Sequence, residues 1–98
     1  MYVVRDIFRC KPGHSKSVAE KAKNVLALTK KLKGVSNGRV LIDFVTNYWT
    51  VVMETEVESL GQFEKEMSEY ASNKEMQDAM KGYMEEIDGG HREIFRVA

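Results

Sequence analysis

This sequence has little of the residue types that most often fix a fold or a function by themselves. Its 98 residues include one cysteine, Cys10, one proline, Pro12, one tryptophan and two histidines. A single cysteine excludes a disulfide framework and favours a reducing compartment, so we expect a cytoplasmic protein. Two scattered histidines and one cysteine do not supply a ligand set, so we expect no metal.

An excess of charge of one sign and long apolar runs are missing as well. Fifteen basic residues balance fifteen acidic ones, which leaves no excess charge to attract nucleic acid or an anionic membrane. No apolar run approaches the roughly 18 residues that a membrane-spanning helix needs. Arg5, Asp6 and Arg9 interrupt the N-terminus too early for a signal peptide. We therefore expect neither nucleic acid nor a membrane as a partner.

A five-residue pattern occurs near both ends of the chain. Residues 5–9 read Arg-Asp-Ile-Phe-Arg and residues 92–96 read Arg-Glu-Ile-Phe-Arg. Side chains alternate between the two faces of a strand, so the acidic and the aromatic residue of each copy would share one face. Two strands so alike are expected to lie side by side in one sheet, with chance similarity as the alternative.

Turn residues and capping patterns divide the chain into four strands and two helical regions. Pro12 ends the first strand, and the helix that follows begins at Ser15 or Ser17 and ends at Gly34. A capping box at residues 59–62 opens the second helical region, which Ser-Asn at 72–73 is expected to break. The expected strands are residues 2–10, 39–45, 48–56 and 91–97.

The second and third strands match each other as a hairpin around Thr46-Asn47. In an even-length register, opposite charges and apolar side chains both find partners. The expected cross-strand pairs are Arg39 with Glu54, Val40 with Met53, Ile42 with Val51 and Phe44 with Trp49. The last pair is predicted to face the helices.

The order β-α-β-β-α-β, with right-handed crossovers, predicts one domain of α+β class with a ferredoxin-like fold. Its antiparallel sheet would have strand order 4-1-3-2, with two helices on one face. The other face would carry Arg5, Ile7, Leu41, Val52 and Ile94, too much apolar surface for open water. A second copy is the simplest cover, so we expect a homodimer through this face.

The chain also resembles a known group of proteins. Pro12-Gly13 before the first helix, Ser59-Leu60 at the start of the second, and the run Gly-Gly-His-Arg-Glu-Ile at 89–94 are similar to the dimeric α+β barrel superfamily. The nearest likeness is to small bacterial proteins of the NIPSNAP and antibiotic-biosynthesis-monooxygenase kinds. The resemblance implies a dimeric barrel but no single activity, since that superfamily hosts cofactor-free oxygenases, haem degraders and dismutases.

Haem-degrading members of that superfamily carry an Asn on the first strand, a Trp at the end of the third and a His late in the second helix. By the same alignment this chain has Asp6 for the Asn, Thr55 or Glu56 for the Trp, and Met80 or Gly82 for the His. All three positions depart from the pattern. We therefore expect no haem and no other cofactor.

Asp6, Glu93 and His91 are the candidate catalytic residues. Strand alternation places both carboxylates on the helix-facing side of the sheet, where an unpaired charge is costly. If they are opposed there, one of them could act as a general acid or base, and His91 beside them could carry a proton. The alternative is that the carboxylates pair with basic side chains and that His91 is solvated.

An apolar ligand pocket is expected between the helices and the sheet. Its predicted lining is Phe44, Trp49, Tyr70, Met80 and Tyr83. Methionine packs adaptably around differing ligands, although the same residues could form plain core. The sequence thus favours a small-molecule-binding protein or a cofactor-independent oxygenase-type enzyme for a small apolar ligand. A non-catalytic dimeric module is the alternative.

Overall fold

A computed structural model describes residues 1–33 and 37–98, and the helix stop predicted at Gly34 lies outside them. Within the described residues the chain forms four strands and four helices. In chain order these are β1 (Tyr2–Cys10), α1 (Ser15–Lys33), β2 (Gly38–Ile42), β3 (Thr50–Val57), α2 (Leu60–Ala71), α3 (Lys74–Ala79), α4 (Tyr83–Glu86) and β4 (Ile87–Arg96). None of these helices has both the length and the apolar character to cross a membrane.

The four strands form one antiparallel sheet in the order β2-β3-β1-β4. This is the predicted order, and the helices α1 and α2 lie over the same face of the sheet. The prediction of an α+β, ferredoxin-like fold is therefore confirmed. We call the face under the helices the helix-facing side and the opposite face the outer face.

The β2–β3 hairpin keeps the predicted register along its strands. Arg39 lies opposite Glu54, and Val40 lies opposite Met53. Arg39 Nε also donates a hydrogen bond to Glu54 Oε1 at 2.9 Å. The matching of charged and apolar cross-strand pairs was thus a sufficient guide to this register.

The loop of the hairpin is longer than predicted, because both strands stop short of it. The Thr50 N–H bonds the Asp43 side chain at 3.0 Å, and residues 43–49 are not in a strand. The predicted pair of Phe44 with Trp49 is wrong, since Phe44 is 98% exposed and Trp49 has φ 61°. That left-handed backbone is rare for a bulky residue and does not occur in a regular strand.

The strand β4 pairs with β1, as the repeat predicted, but one residue out of the predicted register. Asp6 lies opposite Arg92, and Arg5 lies opposite Glu93. Directly opposed residues share a face, so a shift of one residue exchanges the two faces of a strand. Arg92 and Ile94 therefore face the helices, and Glu93 lies on the outer face, contrary to the prediction.

Glycine permits the close pairing at the start of β4. The strand begins at Ile87 rather than at the predicted 91, and it runs through Gly90, which lies opposite Phe8. A Cβ atom on Gly90 would lie 2.2 Å from the Ile7 carbonyl oxygen. The register then changes by one residue at Cys10, which is typical of a β-bulge.

The best-packed part of the protein lies under the first half of α1. Val18 and Ala22 are fully buried, and Val18 packs with Ala19 and with Val51 of the sheet. Cys10 belongs to the same cluster, and burial raises the pKa of its thiol, so the thiol stays neutral.

The second helical region is broken twice. The predicted cap is present, with the Gln62 N–H donating to Ser59 Oγ at 3.1 Å. The predicted break at Ser72-Asn73 is confirmed as well, and Asn73 caps α3 through the Met76 N–H at 3.1 Å. A second break at Gly82, with φ 86°, was not predicted and separates α3 from α4.

Candidate functional site

A cavity of about 200 Å³ lies between the sheet and the helices α1 and α2. Strands β1 and β3 form its floor, and the second half of α1 and the inner side of α2 form its walls. Its apolar lining comprises Val4, Val25, Leu26, Met53, Val57, Phe63, Met67 and the ring of Tyr70. Its polar lining comprises Asp6, Thr29, Lys33, Asn37, Thr55, Glu56, Gln62 and Glu66. Apolar walls combined with converging polar groups are typical of a small-molecule site.

Asp6 lies on the helix-facing side, as predicted, and lines this cavity. Its side chain is 19% exposed. Arg92 lies opposite on β4, and its Nε donates to Asp6 Oδ1 at 2.5 Å. The prediction had put Arg92 on the outer face, so the partner of this carboxylate was missed. The register of β4 alone decides which side chain compensates the Asp6 charge.

Arg92 also connects Asp6 to the helix above it. Its guanidinium carbon lies 5.2 Å from the centre of the Phe63 ring on α2. A cation over an aromatic face is attracted by the electrons of the ring. Arg92 therefore holds the carboxylate at the cavity and contacts the first turns of α2.

At the end of α1 lies a group of charged side chains, of which Lys33 and Glu66 line the cavity. Lys33 Nζ bonds Glu69 Oε2 at 3.0 Å and Glu66 Oε1 at 3.5 Å, and it lies 5.7 Å from the centre of the Tyr70 ring. The bond to Glu69 raises the pKa of Lys33. We call Lys33, Glu66, Glu69 and Tyr70 the Lys33 cluster. It joins α1 to α2 across the cavity.

The other two candidate catalytic residues lie on the opposite side of the sheet from the cavity. His91 is opposite Ile7 and Glu93 is opposite Arg5, so both lie on the outer face. His91 Nε2 is 3.3 Å from Glu93 Oε2, and both side chains are more than a third exposed. Their predicted position on the helix-facing side is wrong, and neither lies on the same face of the sheet as Asp6.

The predicted pocket residues do not form one pocket. Tyr70 lines the cavity, whereas Phe44 projects from the hairpin loop. Tyr83 packs edge-on against the Phe8 ring at 5.8 Å between centres, and Met80 caps the end of α3. Spacing along a helix predicted these faces, but the breaks at residues 72–73 and 82 turn α3 and α4 away from the cavity.

Trp49 lines a different surface, a wide open groove of about 910 Å³ beside the first half of α1. Ile42 and Tyr48 line it with Trp49, and the facing side of α1 contributes Lys16, Ala19 and Lys23. The groove lies beside the long hairpin loop. Sequence analysis had predicted most of this loop to be part of the two strands.

A second charged cluster, also missed by sequence reading, connects α1 to the end of α4. Lys21 and His14 both contact the Glu86 carboxylate, His14 at 3.3 Å, and Lys21 also bonds Ser17 Oγ at 2.9 Å. The Lys21 ammonium lowers the pKa of Glu86 to about 2. The residues are far apart in sequence, so no local pattern would have indicated this cluster.

Comparison with known proteins adds information on the fold. The chain matches no protein-family model and no curated protein. It is similar to the solved structure of a NIPSNAP family protein from Agrobacterium tumefaciens, with a TM-score of 0.83 and 14% identity over 99% of this chain and 92% of that one. A second NIPSNAP family protein of that organism, described as having unknown function, has a TM-score of 0.83 and 12% identity over 100% of this chain and 88% of that one.

A putative antibiotic biosynthesis monooxygenase from Deinococcus radiodurans has a TM-score of 0.72 and 9% identity, over 100% of this chain and 93% of that one. At such identities the likeness concerns the fold and leaves the chemistry open. The resemblance inferred from the sequence is confirmed at that level. The chain has the ferredoxin-like α+β fold of NIPSNAP and antibiotic-biosynthesis-monooxygenase proteins.

Proposed function

We propose that this protein binds a small, mainly apolar molecule in the cavity between α1, α2 and the sheet, with Asp6 as the polar contact. The observation that carries the proposal is the cavity itself, about 200 Å³ in volume, whose lining combines apolar side chains with the charged side chains of Asp6, Lys33, Glu56 and Glu66. A packed domain rarely leaves voids larger than a water molecule in its interior. A space of this size with a charged group beside it is better explained by a ligand than by incomplete packing.

The size of the cavity limits the ligand class. An apolar cavity of about 150 Å³ is large enough to bind benzene, so this one suits a molecule of one or two rings or a short branched chain. Asp6 accepts hydrogen bonds, and the Thr29 and Thr55 hydroxyls can accept or donate them. A hydroxyl or another hydrogen-bond donor on the ligand would complete the match.

A cofactor-independent oxygenase-type reaction is the catalytic form of the same proposal. Asp6 would accept a proton from an acidic O–H or C–H of the bound molecule, and the resulting anion would react with dioxygen. Arg92, at 2.5 Å from Asp6, would keep the carboxylate in place for that step. General-base catalysis needs such a group within hydrogen-bond reach of the proton that it removes.

The test of binding uses 2-naphthol as a probe of suitable size, with naphthalene to measure the contribution of the hydroxyl. Val25→Phe should fill the cavity and abolish binding of 2-naphthol. The matched control is Leu32→Phe on the same helix, since Leu32 is half-exposed and does not line the cavity. NMR titration gives both affinities. Equal binding by the two variants, or no binding by the wild type, would contradict the proposal.

The outer face supports a second candidate, a non-catalytic dimeric module. Its members include Val3, Arg5, Ile7, Arg39, Leu41, Val52, Glu54 and Phe95. Phe95 is 50% exposed, with the Arg5 guanidinium 5.5 Å from its ring centre. Apolar and arginine side chains together are typical of the centre of an interface between proteins. A homodimer through this face is our proposal for the assembly.

Two isoleucine variants separate this assembly from the alternatives. Ile7→Asp places an unpaired charge on the outer face and should dissociate the dimer at micromolar concentration. Ile94→Asp lies on the helix-facing side and should leave the dimer intact. Sedimentation velocity measures both. A monomeric wild type, or equal dissociation by both variants, would overturn the assembly.

A further inference from the structure

The helix α2 covers the cavity without being packed into the protein. It has 12 residues, and none of them is buried. The helix α1 on the other side of the cavity buries Val18, Ala19 and Ala22. A segment with few buried apolar contacts opens at a lower free energy than its surroundings. Of the two helical walls, α2 is therefore the one that can move.

The two ends of α2 are attached to well-packed residues. Val57, at the end of β3, is 4% exposed, and Met76, in α3, is also 4% exposed. The helix α2 is thus joined to a well-packed residue on each side through short connections at residues 58–59 and 72–73. These connections can absorb a change in backbone direction while the helix itself stays intact.

Two contacts hold α2 closed over the cavity. One is the Lys33 cluster, in which a single ammonium on α1 bonds Glu66 and Glu69 of α2. The other is the stacking of Arg92 on Phe63. The Lys33 side chain is 33% exposed, and ion pairs near solvent are weak and are screened by salt. Such a contact can break and re-form without unfolding the protein.

We propose that α2 is a hinged cover and that a ligand enters the cavity when the Lys33 cluster opens between α1 and α2. The functional role of this hinged cover rests on the proposed ligand-binding function. The movement itself follows from the unburied helix and its two closing contacts. Lys33 is a gating residue in this arrangement, and it also lines the cavity.

The test measures access to the cavity wall without any ligand. Thr55→Cys puts a thiol on the cavity floor, and the native thiol of Cys10, buried in the packed core, reports global unfolding in the same molecule. Labelling by DTNB, followed by mass spectrometry at each cysteine, gives two rates. In this background Lys33→Gln should raise the rate at position 55 about three-fold and leave the rate at Cys10 unchanged.

Lys31→Gln is the matched control, because Lys31 lies two residues away in the same exposed helix end and has no ion pair among the described residues. It should change neither rate. Raising the salt concentration should reproduce the Lys33→Gln effect in the parent protein. A labelling rate at position 55 that changes neither with Lys33→Gln nor with salt would overturn the hinged cover. Equal increases in the labelling rate at both cysteines would also overturn it.

This outcome is separate from that of the binding test. A Lys33-dependent rate at position 55 supports the moving cover even if 2-naphthol does not bind, in which case only the ligand proposal fails. Binding of 2-naphthol together with a Lys33-independent rate leaves the ligand proposal intact and rejects the cover.

Discussion

The two ends of the helix–sheet layer are packed differently, although α1 covers part of both. Under its first half, Val18 and Ala22 have no exposed surface, and Val18 packs with the equally buried Val51. Under its second half, Val25 and Leu26 line a cavity of about 200 Å³. We call these regions the packed end and the cavity end. The comparison shows that one end of a small domain can be closely packed while the other retains a cavity.

Lowering the pH should produce the largest loss of stability, because it protonates a carboxylate in a charged contact at the packed end. The Lys21 ammonium lowers the pKa of Glu86 from 4.5 to about 2. A carboxyl with a lowered pKa stabilises the folded state above its unfolded pKa, and that contribution is lost as the pH falls from 4.5 towards 2. The free energy of unfolding should therefore fall by up to about 3 kcal/mol over this range.

Urea denaturation at pH 6, 4 and 2.5 measures this loss, and Glu86→Gln is the control. The variant should be less stable at pH 6 and should lose less on acidification, because it has no carboxyl to protonate at that position. If wild type and variant lose the same free energy, Glu86 does not hold the packed end together.

Two valine truncations on α1 compare the ends directly. Val18→Ala opens a cavity in close-packed surroundings and should lower the free energy of unfolding by about 2 kcal/mol. Val25→Ala, seven residues later on the same helix, enlarges an existing space and should cost less than about 1 kcal/mol. Urea denaturation gives both values. Equal losses would mean that the second half of α1 is packed as closely as the first.

Asp6→Asn should have the smallest effect on stability and a large one on binding. The Arg92 side chain that pairs with Asp6 is 41% exposed, and an ion pair of this kind contributes less than about 1 kcal/mol. Binding of 2-naphthol should weaken about ten-fold, because a hydrogen bond to a charged acceptor is lost. Glu93→Gln, on the outer face, should leave binding unchanged. A large loss of stability in Asp6→Asn would assign Asp6 a structural role instead.

Local sequence patterns predicted the structure correctly where the interacting residues are near in sequence. Arg39 with Glu54 and Val40 with Met53 were predicted across a short hairpin, where matching of adjacent pairs leaves one consistent register. The cap at Ser59 and the break at Asn73 were predicted for the same reason, since each depends on residues three positions apart. Two of the five predicted pocket residues, Met80 and Tyr83, lie beyond the break at Asn73, and the second break at Gly82 gave no periodic signal.

Pairing between the chain ends could not be predicted to the residue. The repeated pentapeptide correctly indicated that β1 and β4 are neighbours. The similarity of the two segments does not determine which residue of β4 lies opposite a given residue of β1. A one-residue difference moved Arg92 to the cavity side and His91 and Glu93 to the outer face. The side of the sheet was thus predicted correctly for Asp6, which lies on a central strand with an alternating pattern, and wrongly for His91 and Glu93 on the edge strand.

The sequence by itself determined the order of the elements, the sheet topology and the side of the sheet on which Asp6 lies, because periodicity, caps and turns act over a few residues. Only the tertiary structure decided the register of β4, the partner of Asp6 and the position of the cavity. Each of these depends on contacts between distant segments, such as the approach of Gly90 to Ile7 and the bond from Lys33 to Glu69. Packing over such separations is set by the shapes of both surfaces at once, and neither segment encodes it alone.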